Sequence, residues 1–156
     1  MIGKLETVPA GAAPELLAPS ITATEGLFVA AIDPELADTA AFCAAYDVGL
    51  DQSANCVVVA GKREGEIRYA ACVILATTRA DVNGVVRRRL EVRKASFAPM
   101  DDAVSLTGME YGGITPLGLP AAWPVLVAAR VVDVPLVIIV SGLRRSNILI
   151  PGASLA

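Results

Sequence analysis

The sequence predicts one α/β (α+β) domain built on a mixed sheet, and three observations predict it. The chain has 156 residues, enough for a single domain with a sizeable core. Apolar residues make up 54% and charged residues 19%, a balance that excludes disorder and a coiled coil. Strand-like apolar runs alternate with helix-start signals along the chain, without a linker or an internal repeat between them.

Residues 1–26 form an irregular lead-in; residues 9–20 are rich in Pro, Ala and Gly and are expected to be partly mobile. The domain proper is expected over residues 27–156. Asp33-Pro34-Glu35 is a helix-start signal, because Asp accepts unpaired backbone N–H groups and Pro suits the first helical position. The helix is expected to reach Tyr46, with Leu36, Ala40 and Cys43 on one face. Asn55–Ala60 and Ile67–Thr77 then read as a hairpin around the polar turn 61–66. Both faces of Ala70–Ala76 are apolar, which predicts a central strand.

Asp81 is expected to cap a helix with Val82, Val85, Val86 and Leu90 at helical spacing. A short strand near Lys94–Ala98 precedes a second cap, Asp101-Asp102, and a helix that stops at Gly108. Residues 109–120 are a Gly/Pro-rich loop. The apolar stretch Leu119–Val140 is too interrupted for a membrane span, because it contains Arg130, Asp133, Pro120, Pro124 and Pro135. Two buried strands, near Val125–Val127 and Leu136–Val140, account for it better. A last extended piece covers Asn147–Ile150. The absence of a secretory signal pattern points to a cytoplasmic protein.

Several chemistries fall away at once. The chain contains no histidine, which removes Ser-His-Asp and Cys-His nucleophilic systems, imidazole proton transfer and His-containing zinc sites. Cys43, Cys56 and Cys72 are odd in number and form no CxxC; buried, inert thiols are expected rather than a disulfide framework or a metal site. Residues 1–61 hold one base against eight acids, a balance of −7, and residues 62–156 hold twelve bases against eight acids, a balance of +4. Arg79, Arg87, Arg88, Arg89, Arg93 and Lys94 lie in one short run. That run is either a solvated helix face or a local phosphate-facing patch.

The segment Leu106-Thr107-Gly108-Met109-Glu110-Tyr111-Gly112-Gly113-Ile114-Thr115-Pro116-Leu117-Gly118 carries the most information. It reads as a helix stop followed by a tight loop that can turn consecutive amides and carbonyls toward a ligand. Gly112 to Pro116 has G-x-x-x-P spacing. The order around it includes the strand pair near 55–77, Arg79-Ala80-Asp81-Val82, Thr107-Gly108 and Ser141-Gly142. In this order the chain resembles the YbaK/EbsC family and the related editing domain inserted in bacterial prolyl-tRNA synthetases, over about residues 27–150.

The resemblance implies a mostly antiparallel, partly barrel-like sheet flanked by helices. It also implies trans-acting hydrolysis of the ester bond of misacylated tRNA, most readily a proline-type tRNA, with no cofactor, no metal, no DNA and no membrane partner. Monomer and homodimer remain equally open. An aminoacyl ester is already activated, so its hydrolysis needs a placed water and oxyanion stabilisation more than a strong base. The resemblance assigns catalysis to Gly112, Gly113, Thr115 and Asn55, and substrate contact to Ile114, Pro116, Ser141 and Gly142. Arg144, Arg145 and Lys62 become candidate tRNA contacts.

Three departures accompany the match. Asn55 stands where the family usually has a lysine, Ile148 stands where an aspartate is sometimes found, and only six residues follow the last strand. Lys62 or Lys94 are candidates to restore the missing charge. The alternative expectation is therefore a non-catalytic module that binds aminoacyl-tRNA or an aminoacyl-like small molecule. Ser141 has no His partner and no Ser-x-x-Lys follows it, so it either touches substrate or forms a turn.

Overall fold

Eight strands build two four-stranded sheets in the computed structural model, which describes residues 3–21, 26–36, 39–78, 82–110 and 113–155. In chain order the strands are β1 (Thr7–Pro9), β2 (Phe28–Ala31), β3 (Ala54–Arg63), β4 (Glu66–Leu75), β5 (Ala95–Phe97), β6 (Val125–Val127), β7 (Val137–Val140) and β8 (Ser146–Ile150). The helices are α1 (Thr39–Tyr46), α2 (Arg87–Leu90), α3 (Met100–Thr107) and α4 (Ala129–Val132). One sheet has the order β1-β2-β8-β7 and is antiparallel throughout; the other has the order β5-β3-β4-β6, with β4 and β6 parallel. A parallel bridge between Ser53 and Ile138 links the two. The expected mixed sheet is thus two sheets, mostly antiparallel.

Period-two alternation explains the layering. Val29, Val137, Ile139, Ile148 and Ile150 of the first sheet share a core with Ala54, Val58, Val73 and Leu75 of the second. Their strand neighbours Ala30, Ile138 and Leu149 pack the other way, on Phe42, Cys43 and Val48 beside α1. Val59, Ala70 and Cys72 likewise pack away from the shared core, on Val86 and Leu90 beside α2. With both faces of β8 covered, all five of its residues are buried.

The hairpin is longer and its turn tighter than the sequence predicted. Pairing runs from Ala54 opposite Leu75 to Arg63 opposite Glu66, so Lys62 lies in a strand. Only Glu64 and Gly65 turn the chain, with φ of 50° and 84°. Two positive φ values match the twist of an antiparallel ribbon. β4 is central, as its two apolar faces foretold.

Other expectations are corrected. Asp33 does act as a cap, accepting the Glu35 N–H at 3.0 Å, but the turn it starts is the 3-10 turn Pro34–Leu36. The buried face of α1 is Phe42 and Cys43, and Ala40 is exposed. Pro99, not Asp101 or Asp102, stands at the N-cap position of α3 and gives no side-chain cap bond; the two acids sit inside its first turn, where the helix dipole favours them. Gly108 closes that helix in the left-handed conformation, as expected. A π-helical turn, Val82–Val86, leads into a short α2, and the Asp81 cap falls outside the described residues.

The apolar stretch Leu119–Val140 contains an edge strand, β6, with Val125 40% exposed, then α4, then the buried β7. Among the described residues no helix is long and apolar enough to cross a membrane. Within the lead-in, β1 pairs with β2, and Ala10, Ala13, Leu17, Ala18 and Ile21 enter the shared core. Neither β1 nor β2 was legible as a strand: both are short, and β1 ends in Pro9.

A Glu side chain at positive φ is strained, and Asn tolerates that conformation better. Glu64→Asn is expected to raise stability by about 0.5 kcal/mol, and Gly65→Ala to lower it by about 1 kcal/mol, in urea unfolding curves with unchanged slope.

Candidate functional site

A cleft of about 330 Å³ opens along the outer edge of β3. β5 pairs only with Val59–Gly61, and beyond it the Ala98 N–H bonds to Val58 O at 2.8 Å. Past that point Asn55, Cys56, Val57 and Val58 form one wall, and Phe97, Ala98, Met100 and Ala103 form another. Ile114 of the glycine loop and Val140 at the end of β7 complete the lining. The lining is mainly apolar. Phe97 (61%) and Met100 (42%) are exposed despite their size, which is how a rim open to a ligand differs from a core.

The glycine loop is fixed by its backbone. Glu110 N–H donates to Gly142 O at 2.9 Å, and Gly142 N–H donates to Gly113 O at 2.7 Å. The Glu110 carboxylate accepts the Arg144 N–H at 2.8 Å. A Cβ on Gly113 would meet the Leu143 backbone at 3.0–3.2 Å, and one on Gly142 would meet Ala18 Cβ at 2.4 Å. Gly142 also has φ of 86°. Only glycine lets the two segments come so close. Met109, 1% exposed, lies beneath the loop, and its sulfur accepts the Thr115 N–H at 3.4 Å.

The structure brings some of the predicted residues together and separates others. Asn55 and Ile114 share the cleft. Gly112 falls outside the described residues, while Gly113, Ile114 and Thr115 are buried and Pro116 is half-buried. Thr115 is fully enclosed, and its hydroxyl has no hydrogen-bond partner among the described residues. Ser141 is also fully enclosed. The Ser146 hydroxyl donates to Leu16 O, so Ser141 donates to Ser146 Oγ at 2.6 Å and accepts the Leu143 N–H at 3.2 Å. That hydroxyl serves the turn.

The cations are placed elsewhere. Lys62 is exposed at the far end of β3, seven residues from Asn55, on the order of 23 Å along an extended strand. Lys94 precedes Ala95, which pairs with Gly61, so it lies at that same end. Neither is positioned to restore a charge beside Asn55. Arg144 reaches Pro34 O at 3.4 Å, and Arg145 reaches Glu15 O at 2.7 Å.

Sequence reasoning missed the strand edge itself, together with Phe97, Met100 and Val140. The signal for the first two was two large apolar residues on either side of Ala98-Pro99 at a strand-to-helix junction. It also missed Asn147. Ile148 points into the shared core, and a one-residue step along a strand reverses the face. Asn147 is buried, its Oδ1 has no partner among the described residues, and it lines a void of about 20 Å³ with Ser53 and Asn55. That is room for one water.

An aminoacyl-tRNA editing domain family matches residues 33–156. The chain belongs to this family. No curated protein sequence matches the chain. Its fold is similar to a crystal structure described as a candidate trans-editing enzyme for prolyl tRNA synthetase, at TM-score 0.72 and 18% identity, covering 94% of this chain and 85% of that one. It is similar to a scaffold protein from epitope backbone grafting, at TM-score 0.73 and 18% identity, covering 94% and 86%. The hypothetical protein APE2540 is similar at TM-score 0.71 and 18% identity, covering 81% of each chain.

Cys56 is the nucleophilic side chain in the editing-domain cleft, and its surroundings disarm it. Burial, and then the neighbouring Cys72, push its thiol up to about 12; burial pushes Cys72 up to about 11. Only the thiolate reacts. Iodoacetamide at mildly alkaline pH is therefore expected to modify Cys56 in the native protein on the order of a hundred times more slowly than in urea, by peptide mass spectrometry.

Proposed function

We propose that this editing domain is a trans-acting hydrolase that cleaves the ester of misacylated tRNA, with a small amino acid on a proline-type tRNA as substrate. The observation that carries this reading is the position of Ile114. The glycine loop, held against the Ser141–Arg144 turn, delivers that residue to the same cleft as Asn55. The water oxygen attacks the ester carbonyl carbon, the bond to the ribose oxygen breaks, and that oxygen takes the proton. Free amino acid and a tRNA with a free terminal hydroxyl result. Backbone amides of the loop stabilise the developing oxyanion and its carbonyls hold the water in this reading, Gly112 being the candidate for both because Gly113 donates its N–H to Glu110 O and accepts the Gly142 N–H; Asn55 adds a neutral hydrogen-bonding group. Pro116 stiffens the loop behind them. A cleft of about 330 Å³ suits a small aminoacyl group, near the lower limit for ligand sites.

A second reading rests on charge. The resemblance implies a lysine where Asn55 stands, and Lys62 and Lys94 lie at the other end of the strand pair. Without a cation the domain would bind the aminoacyl end and leave the ester intact. Arg144 and Arg145, on the turn beside the loop, are the proposed acceptor-stem contacts in either reading.

Released amino acid from alanyl-, cysteinyl- and seryl-tRNA of the proline acceptor decides between them. The hydrolase reading expects release by the natural protein and a loss of about ten- to a hundredfold in Gly113→Ala, because the added methyl forces the loop from Leu143. Circular dichroism checks that this variant remains folded. Release by Asn55→Lys alone establishes the binding module, and release by neither protein sinks the hydrolase.

A further inference from the structure

A second groove, of about 600 Å³, crosses the outer edge of β4 near the hairpin turn. β6 pairs with β4 only at Ala71–Val73, and the Ala71 N–H is taken by Pro124 O at 2.9 Å. Beyond that point Ile67–Tyr69 edge the groove. One wall is aromatic: Tyr69 and Trp123 stack with ring centroids 5.0 Å apart and planes 22° apart, both half-buried. The opposite wall is cationic, formed by Arg88 and Arg89 of α2, both exposed.

Glu91 lies on that wall as well, but its carboxylate is engaged by other arginines. The ion pairs among the described residues join Arg63 and Arg68 to Glu91, at 3.3 and 3.4 Å, and Arg68 also donates to Leu90 O at 2.8 Å. Arg88 and Arg89 take part in neither pair. Tyr69 lies opposite Ala60, so the groove is displaced by roughly 10–20 Å up the hairpin from the cleft at Asn55–Val58, and it flanks the other strand.

We propose that this groove is a separate RNA-strand site, in which a base stacks on the Tyr69–Trp123 pair and phosphates lie against Arg88 and Arg89. An aromatic wall facing guanidinium groups outside the ion pairs suits a nucleic-acid strand: stacking tolerates any base, and the cations follow the backbone. A membrane surface or an acidic peptide would use the cations and leave the rings idle. The inference rests on the tRNA-editing reading for the identity of the natural RNA, and locates contact away from the aminoacyl end. The arginine run that the sequence left open thereby receives a phosphate-facing role in its Arg88-Arg89 part.

Trp123 is the single tryptophan, so its fluorescence reports on the groove alone. Titration with uncharged tRNA and with a single-stranded RNA oligonucleotide is expected to quench it. Trp123→Ala is expected to weaken binding, followed by fluorescence anisotropy of labelled RNA, about tenfold, and Trp123→Phe much less. Arg88→Ala with Arg89→Ala is expected to weaken it and to flatten the salt dependence by about one to two in log–log slope. Circular dichroism verifies the fold of each variant. RNA binding without quenching, or unaltered by the arginine pair, overturns the groove. Quenching by an acidic peptide equal to that by RNA overturns it as well. Deacylation of a short aminoacylated acceptor mimic is measured in parallel: quenching without any deacylation retains the groove and removes the hydrolase, and deacylation without quenching does the reverse.

Discussion

The contact between the Glu110–Gly113 loop and the Ser141–Arg144 turn holds the cleft in shape. Two main-chain hydrogen bonds run in opposite senses between them, at 2.9 and 2.7 Å. Gly113 lies against the Leu143 backbone, and Gly142 lies against Ala18. The Ala18 N–H donates to Ser141 O at 3.0 Å, so the lead-in joins the same knot. Three parts of the chain far apart in sequence are thereby tied at one point by backbone groups. The Glu110 carboxylate and the Ser141–Ser146 hydroxyl pair, which reaches Leu16 O, add side-chain bonds to the knot, and a glycine is required wherever backbones must touch.

Much of the architecture was legible because local chemistry is strong where it counted. Alternating apolar residues revealed the hairpin, and Gly108 marked the end of α3. The unread parts were decided by distant contacts. β1 and β2 are three and four residues long and become strands only through pairing, β2 with β8 and β1 with β2. Ala40 carries the right chemistry for a buried face, yet Phe42 wins the interior because it covers more apolar area.

Of the candidate cleft, the sequence singled out the loop and Asn55 and passed over most of the walls. The G-x-x-x-P spacing and the Asn55 position are local patterns, and Asn55 and Ile114 do meet at the cleft. Thr115 and Ser141 looked available because hydroxyls in loops often are, but both are enclosed. A sequence does not state which side of a bend faces water. Phe97, Met100 and Val140 come from three different elements, so no single window of sequence contains them.

The cleft is a seam rather than a hole in a sheet. Val140 belongs to one hydrogen-bonded ladder and Asn55–Val58 to the other, and the ladders are stitched at Ser53 and Ile138. Side chains along such a seam can be exchanged without breaking any ladder bond. The width of the cleft can therefore be retuned at Phe97 or Met100, at the rim, while the framework that supports the rim is left intact.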